Sequence, residues 1–420
     1  MKSVKIKKSR LSGRVMIPAS KSAAHRAIFC AALADGASLL TGLGELSKDL
    51  CATLQAAEGL GAEVRVSEGG ISITGARSVP TVGFFDCGES GSTLRFLIPV
   101  AAALGMEAGF TGSGRLPERP LGAYRQLLPA HGVAYESEGG GLPLEIRGQL
   151  TPGLFELEGN VSSQYITGLL LALPLLERES EIRLLSPLQS AGYVEMTLRM
   201  LRDFGVAAEP SENGWHVPGG QRYRANSLRV EGDWSQAAFF LCAGAMGHDI
   251  SVEGLRADTA QGDREILSLL DRFGAQPKEE NGLVSCPPSP LRGIEINAAQ
   301  IPDLVPILAV TAAFASGETR ITGAERLRIK ESDRLCTCAE GLSRMGADIE
   351  ELPGGLIIRG GRPLHGAKIR GYNDHRIVMA FSIAGTITGD MTITDAVSIH
   401  KSYPGFFSDL KKLGGDIHVV

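Results

Sequence analysis

Residues 60–66 read Leu-Gly-Ala-Glu-Val-Arg-Val, and this order of residue types returns five more times along the chain. In each copy a helix-like segment ends on an apolar residue, or on a histidine in one copy, before a glycine and a strand-like segment. Glycine closes helices because it adopts left-handed backbone angles without strain. Six unrelated αβ loops are the alternative, but they would not hold one period, so the pattern predicts six repeated αβ units. The glycines recur about every 70 residues and are Gly61, Gly132, Gly205, Gly274, Gly346 and Gly414.

A glycine-rich turn and a second strand often follow the first strand, as in residues 68–73 and 352–358. Both segments predict hairpins. Six such units in 420 residues exceed one hydrophobic core, so three plus three is the natural division. The sequence places a seam near residues 230–233, and a cleft between two similar halves is a preferred place for a ligand site.

Composition restricts the class of protein. A net charge of −5 argues against a general binder of nucleic acid or of anionic membranes, which needs a basic surface. The seven cysteines include no CxxC pair, which favours a reducing, cytoplasmic compartment. Residues 1–21 lack the apolar stretch of a signal peptide, and the longest apolar run, residues 165–176, is shorter than the ~20 residues of a membrane span. We expect a soluble protein that gathers its cations locally if it binds anions.

Two stretches of the first half predict anion sites at helix N-termini. Ser20 is a good N-cap, but Lys21 and Arg26 oppose the dipole of the helix that follows, unless an anion binds there. A solvated helix face is the alternative. Residues 86–95 place two glycines and several hydroxyls before a helix predicted over residues 96–104. They form neither a nucleotide P-loop nor a dinucleotide fingerprint, which leaves a plain turn or a ligand loop.

Two further stretches of this half suit a ligand. Arg119 lies between prolines in residues 115–121, which form either a rigid surface connection or a loop that carries the arginine to a substrate. Ser162, Ser163 and Gln164 precede an apolar helix, so one serine would cap it and the other donors could bind a phosphorylated ligand.

The second half combines acids with cations. Asp303 precedes an apolar helix, for which an N-cap is the simple explanation. If residues 328–334 are helical, Lys330 and Arg334 share one face, which is unfavourable unless an anion bridges them or Asp333 neutralises one. Residues 373–376 and 400–404 each set a cation beside a turn. The chain has no HExxH, GxSxG or EF-hand motif.

In this order and at these spacings, the stretches resemble the 5-enolpyruvylshikimate-3-phosphate synthases, a family of the shikimate pathway. The resemblance runs from about residue 6 to the C-terminus. It implies an α/β (α+β) fold of the enolpyruvyl transferase type, with two similar domains of three βαβαββ units each. The domains would be residues 18–229, and residues 1–17 with 230–420, with the active site in the cleft between them.

The resemblance also implies an activity without metal or cofactor, the transfer of the enolpyruvyl group of phosphoenolpyruvate to the 5-hydroxyl of shikimate 3-phosphate. Asp303 would accept the hydroxyl proton, Glu331 would protonate the methylene carbon, and Lys21 would contact both substrates. Shikimate 3-phosphate would bind Lys21, Ser22, Arg26, Ser162, Ser163, Gln164, Ser190, Asp303 and Lys330. Phosphoenolpyruvate would bind Lys21, Gly91, Arg119, Gln164, Arg334, Arg376 and Lys401.

A count of charges supports this interpretation independently. Two phosphates and two carboxylates bring about five to six negative charges. Seven cations match them: Lys21, Arg26, Arg119, Lys330, Arg334, Arg376 and Lys401.

Two alternatives stay open. One is the related enzyme that uses UDP-N-acetylglucosamine, although residues 111–121 lack the cysteine usual in its mobile loop. The other is a non-catalytic anion-binding relative, although Asp303 and Glu331 are both present. We expect a monomer that binds these small molecules and neither nucleic acid nor membranes.

Overall fold

The computed structural model describes residues 2–420, which form a mixed α/β protein. Its α-helices in this range are α1 (Lys21–Leu33), α2 (Lys48–Gly59), α3 (Gly91–Ala103), α4 (Gly122–Ala130), α5 (Ser163–Ala172), α6 (Ala191–Asp203), α7 (Trp234–Ala245), α8 (Ile266–Arg272), α9 (Val305–Phe314), α10 (Arg334–Arg344), α11 (His375–Thr388) and α12 (Phe406–Lys412).

The strands in the same range are β1 (Val4–Ile6), β2 (Ser12–Met16), β3 (Ala34–Asp35), β4 (Ala37–Thr41), β5 (Glu63–Ser67), β6 (Gly70–Thr74), β7 (Val82–Asp86), β8 (Glu107–Thr111), β9 (Val133–Ser137), β10 (Leu144–Gly148), β11 (Leu154–Leu157), β12 (Ser180–Leu184), β13 (Glu209–Ser211), β14 (Gly214–Val217), β15 (Tyr223–Arg224), β16 (Leu228–Arg229), β17 (Asp249–Glu253), β18 (Lys278–Glu280), β19 (Leu283–Ser285), β20 (Glu295–Asn297), β21 (Gly317–Thr322), β22 (Asp348–Leu352), β23 (Gly355–Gly360), β24 (Lys368–Ile369), β25 (Met391–Ile393) and β26 (Ile417–Val419).

Side chains of serine and aspartate fix where many helices begin. Each accepts a hydrogen bond from a backbone N–H of the first turn, which would otherwise lack a partner. Ser90 caps α3, so this helix begins at Gly91, five residues before the predicted start. The prediction was wrong there because the glycine-rich stretch belongs to the first turn. The capping residues are Ser20, Ser47, Ser90, Ser162, Asp233, Asp333 and Asp374.

Glycine fixes where one helix of each repeat ends. All six glycines of the repeated pattern have left-handed backbone angles, with φ between +77° at Gly205 and +99° at Gly414. A side chain is strained in this conformation, which explains why glycine recurs at this place. The predicted hairpins are confirmed as β5–β6 and β22–β23.

The chain divides into two compact units. The inserted unit is Ala19–Val230, and the split unit combines Met1–Pro18 with Glu231–Val420. In residues 2–420 each unit has three four-stranded sheets. Those of the inserted unit have the orders β16-β4-β6-β5, β7-β8-β10-β9 and β11-β12-β14-β13, and β15 pairs with β3 in a separate ribbon. Those of the split unit have the orders β18-β19-β17-β2, β20-β21-β23-β22 and β24-β25-β1-β26.

All six sheets share one pattern, in which a parallel pair of strands is followed by two antiparallel pairings. In β7, β8, β10 and β9, for example, a helix joins the parallel strands and a hairpin completes the sheet. Three sheets borrow a strand from a distant part of the chain. Strand β16 completes the first sheet of the inserted unit, while β2 and β1 complete two sheets of the split unit. The predicted mixed α/β fold of βαβαββ units is confirmed.

Each unit is centred on three apolar helices. These are α1, α3 and α5 in the inserted unit, and α7, α9 and α11 in the split unit. Nearly all their residues are buried, as expected for helices without a continuous polar face. Their N-termini carry many of the predicted site residues. In the described part of the chain, no helix has both the length and the apolar character needed to cross a membrane.

Candidate active site

The N-terminus of α1 presents the first predicted cations. Lys21 is the first helical residue, and its Nζ lies 2.6 Å from Oδ2 of Asp49. Ser22 follows it, and the Ser22 carbonyl accepts a hydrogen bond of 2.6 Å from Arg26. Lys21, Ser22 and Arg26 therefore lie within the first two turns of α1.

Arg26 is a buried cation whose hydrogen-bond partners are neutral oxygens. Its guanidinium donates to Thr197 Oγ1 at 2.8 Å and to the Tyr193 carbonyl at 2.9 Å. It also donates to Thr167 Oγ1 at 3.2 Å and to the Ser22 carbonyl. Burial lowers the pKa of Arg26 to about 10, so it remains charged at neutral pH. A buried charge without a carboxylate partner is costly, and an anionic ligand would offset that cost.

Arg95 is a second buried cation, and it is not among the predicted site residues. It donates to Gln164 Oε1 at 3.1 Å and to the Pro120 carbonyl at 3.0 Å. A Cβ atom on Gly91 would lie 2.7 Å from guanidinium nitrogens of both Arg95 and Arg119. Gly91, Arg119 and Gln164, predicted to bind phosphoenolpyruvate, are therefore brought together around Arg95. The sequence does contain a signal for Arg95, since this arginine follows Gly91 by four residues, about one helical turn.

The predicted serines lie at two other helix starts. Ser162 caps α5 by accepting from the N–H of Gln164 at 3.3 Å, and Ser163 is the first residue of that helix. Ser190 directly precedes α6, is 2% exposed and has a left-handed φ of 57°. This conformation is uncommon for serine and occurs often at functional sites.

Arg334 is the centre of the cluster in the split unit. Its Nε lies 2.9 Å from Asp374, its Nη1 2.9 Å from Asp303, and its Nη2 2.8 Å from Glu331. Burial opposes the charge on Arg334, but the carboxylates of Asp374, Glu331 and Asp303 outweigh burial and raise its pKa. Arg334 is 1% exposed, so these are buried ion pairs.

Asp303 is not the N-cap of the following helix. A 3₁₀ turn, Pro302–Leu304, carries it, and its carboxylate binds cations instead. Oδ2 lies 3.1 Å from Arg376, and Oδ1 lies 2.9 Å from Arg334 and 3.9 Å from Lys330. Burial alone would raise the pKa of Asp303, but Arg376, Lys330 and Arg334 outweigh it and hold this pKa well below its usual range.

Residues 328–334 do not form the continuous helix that would place Lys330 and Arg334 on one face. A 3₁₀ helix spans Glu325–Ile329, and α10 begins only at Arg334 because Asp333 caps it. Lys330 and Arg334 do not share a helix face, although both contact Asp303. Asp333 binds Arg328 at 2.8 Å rather than either predicted site cation.

Asp374 is the acid that the predicted site residues omit. It is fully buried, caps α11, and accepts from Ser332 Oγ at 2.9 Å as well as from Arg334. Burial would raise the pKa of Asp374, but Arg334 outweighs it and lowers this pKa. Lys401 donates to the carbonyl of Asn373 at 2.6 Å, which places it beside the same turn.

Ser235 is a further unpredicted neighbour. It donates to Asp233 at 2.5 Å and accepts from Arg376 at 2.9 Å, so it links Arg376 to the cap of α7. Among residues 2–420 no group of three or more His, Cys, Asp and Glu side chains is arranged to hold a metal ion. The carboxylates of the split unit surround an arginine instead.

Comparison with known proteins identifies the family of this chain. Residues 5–410 match the family model of EPSP synthase (3-phosphoshikimate 1-carboxyvinyltransferase). The chain is 42% identical to the 3-phosphoshikimate 1-carboxyvinyltransferase of Clostridium kluyveri, over 99% of this chain and 98% of that protein. It is 43% identical to the protein of the same name from Clostridium acetobutylicum, over 100% and 99%.

A solved structure gives the same result. The EPSP synthase of Acinetobacter baumannii superimposes with a TM-score of 0.81 at 29% identity, covering 100% of both chains. The family match spans nearly the whole chain, and the relatives are aligned over nearly their full length. This chain belongs to the EPSP synthase family.

Proposed function

We propose that this protein transfers the enolpyruvyl group of phosphoenolpyruvate to the 5-hydroxyl of shikimate 3-phosphate and releases phosphate. The observation that carries the proposal is the pair of buried guanidinium groups, Arg26 and Arg95, whose hydrogen-bond partners are neutral oxygens. Such groups suit substrates that bring phosphates and carboxylates. Family membership favours shikimate 3-phosphate over UDP-N-acetylglucosamine as the acceptor.

The reaction is an addition followed by an elimination. The acceptor oxygen bonds to C2 of phosphoenolpyruvate while C3 gains a proton, which gives a tetrahedral ketal phosphate. Phosphate then leaves from C2, and loss of a proton from C3 restores the double bond. One group must take a proton and another must give one.

Asp303 and Glu331 take these roles in our proposal. Asp303 is ionised at neutral pH because cations hold its pKa low, so it can accept a proton. The same cations make it a weak base at rest. Incoming phosphate and carboxylate groups would compete for Arg334 and Arg376, and the basicity of Asp303 would then increase. Glu331, which lies 2.8 Å from Arg334, would take up a proton when anionic substrates compete for Arg334, and it would then donate this proton to C3.

The remaining site residues are assigned to the binding of the two substrates. Lys21, Ser22, Arg26, Ser162, Ser163, Gln164, Ser190 and Lys330 bind shikimate 3-phosphate in this proposal. Lys21, Gly91, Arg119, Gln164, Arg334, Arg376 and Lys401 bind phosphoenolpyruvate. We also propose that the protein acts as a monomer in the cytoplasm, where its seven thiols, none of them in a disulfide in the described chain, stay reduced.

The first experiment measures phosphate release from phosphoenolpyruvate with shikimate 3-phosphate, and with UDP-N-acetylglucosamine in parallel. Release with shikimate 3-phosphate alone supports the proposal. Release with UDP-N-acetylglucosamine alone would contradict it. No release with either would favour an anion-binding protein without catalysis.

The second experiment tests the acid–base assignment with Asp303→Asn. We expect turnover to fall by about 10²–10⁴-fold, because general acid–base groups contribute on this scale. Binding of shikimate 3-phosphate, followed by calorimetry, should remain measurable. Asp348→Asn, at an acid of a surface strand in the same unit, serves as the control. Normal turnover of Asp303→Asn would rule out Asp303 as the base.

A further inference from the structure

One acid lies beside the predicted substrate cations of the inserted unit without a role so far. Asp49 Oδ2 is 2.6 Å from Lys21 Nζ, and the two side chains are only 11% and 18% exposed. Asp49 is in the first turn of α2, where the helix dipole stabilises a negative charge. Lys21 begins α1, where the dipole opposes a positive charge. The pair thus joins two helix N-termini through one ion pair.

A chain of buried polar groups binds the backbone carbonyl of Asp49. Thr53 Oγ1 donates to the Asp49 carbonyl at 3.1 Å, and lies 2.6 Å from His25 Nδ1 and 2.7 Å from Thr93 Oγ1. Thr93 in turn donates to Ser90 Oγ at 2.7 Å, the cap of α3. The starts of α1, α2 and α3 are therefore linked to one another.

His25 joins these groups through its Nδ1, which lies 2.6 Å from Thr53 Oγ1. Burial, with Lys21 and Arg26 nearby, holds the pKa of His25 well below its ordinary value. His25 therefore adds no charge, and Asp49 is the acid that opposes the nearby cations.

A carboxylate at this place should weaken the binding of anions, since it repels a phosphate that approaches Lys21. Arg26 and Arg95 of the same unit have neutral partners instead. The acid is useful if it gives Lys21 a fixed direction. A lysine side chain is long and flexible, and orienting it before the substrates arrive lowers the entropic part of the barrier.

We propose that Asp49 is a positioning residue, which fixes the Lys21 ammonium for turnover and thereby weakens the binding of the anionic substrate. This inference rests on the proposed function, because it assumes that Lys21 contacts the reacting groups. Asp49 acts through Lys21 and does not touch the substrates.

The test is the variant Asp49→Asn, which removes the charge of the side chain and keeps its shape. We expect KM for phosphoenolpyruvate to fall about 3–10-fold, since one repulsive charge is removed. We expect kcat to fall about 10–100-fold, since misplacing one group costs on this order. Opposite effects on binding and turnover distinguish positioning from a loss of structure, which would weaken both. Asp35→Asn, at an exposed acid of the same unit, is the matched control.

Asp49→Glu keeps the charge and moves it by one methylene. It should keep the wild-type KM and recover part of kcat, and it remains informative if Asp49→Asn folds poorly. An unchanged kcat in Asp49→Asn, or a KM that rises as kcat falls, would overturn the proposal.

Titration with inorganic phosphate separates this inference from the proposed function. Asp49→Asn should bind phosphate about 3–10-fold more tightly than the wild type, whether or not the wild type turns over. Equal or weaker binding of phosphate would overturn the role of Asp49. Absence of turnover in the wild type would instead contradict the proposed function.

Discussion

The buried arginines of the two units have opposite surroundings. In the inserted unit, hydroxyl, amide and carbonyl oxygens accept all the hydrogen bonds that the described residues receive from Arg26 and Arg95. In the split unit, Arg334 binds three carboxylates and Arg376 binds Asp303. Both units are built from the same βαβαββ design, so the difference lies in the side chains at the helix starts.

The difference indicates that the two units contribute different functions to the proposed reaction. Neutral partners orient a guanidinium and preserve its positive charge for a ligand. Carboxylate partners cancel that charge and are themselves held ionised, so they can accept protons. We infer that the inserted unit mainly supplies anion binding and that the split unit mainly supplies acid–base chemistry.

Arg334→Met should have the largest effect on stability. It leaves the carboxylates of Asp303, Glu331 and Asp374 without their shared partner, and breaking a buried ion pair in this way costs about 3–5 kcal/mol. Urea unfolding measures the loss, and turnover should be lost as well. A stability within about 1 kcal/mol of the wild type would contradict the neutralising role of Arg334.

Arg26→Met is the matched change in the inserted unit. It removes a buried cation without exposing a buried carboxylate, so we expect stability to change by only about 1 kcal/mol. Affinity for shikimate 3-phosphate should fall about 100-fold, because hydrogen bonds to charged groups contribute about 1.5–3 kcal/mol. If Arg26→Met and Arg334→Met destabilised the protein equally, the contrast between the units would fail.

Low pH should weaken the split unit through His248. Its Nδ1 accepts from the N–H of Leu11 at 3.1 Å, and its Nε2 lies 2.9 Å from Thr386 Oγ1. The ring must be neutral to accept, and burial, with Arg10 nearby, lowers the pKa of His248 to about 4.

The sign follows from proton binding. Above pH 6.5 both folded and unfolded His248 are neutral, and the full stability is present. As the pH falls from 6.5 to about 4, only the unfolded chain binds the proton, which costs up to about 3 kcal/mol. Urea unfolding between these pH values should show a smaller loss in His248→Gln, which retains the other titrating groups. Equal pH dependence of the two proteins would exclude His248 as a contributor.

Gly91→Ala should have the smallest effect, and it is confined to one substrate. The added methyl group would displace the guanidinium groups of Arg95 and Arg119, whose ends can move, so we expect KM for phosphoenolpyruvate to rise about 10-fold. Affinity for shikimate 3-phosphate should be unchanged. An equal loss for both substrates would show that Gly91 does not act on phosphoenolpyruvate alone.

The repeated architecture could be predicted because its signals are local. A glycine that ends a helix and a turn that joins two strands depend on neighbouring residues. The ion pairs could not be predicted in the same way. Arg334 meets Asp374 and Asp303, which are 40 and 31 positions away, and the order of charges does not show which of them will meet.

Helix caps could be predicted from the sequence in some places and not in others. Ser20 looks like a cap in the sequence and is one, since its hydroxyl accepts from the N–H of Ala23. Asp303 looks like a cap in the sequence, but buried cations from two other segments bind its carboxylate. A side chain that serves the site can therefore have the same local pattern as one that serves the helix.

The chain is synthesised from its N-terminus, so a borrowed strand that is made early must wait until its partner strands have been made. Strand β1 is synthesised first, yet Val4 pairs with Ile393 and Val419. At about 5–20 residues per second, it waits roughly 20–80 s for these partners. The delay in the inserted unit is shorter, since β4 waits only for β16, which ends at Arg229. We expect the inserted unit to finish folding while β1 and β2 still lack their partner strands. These two unpaired strands are the segments that a chaperone would have to protect.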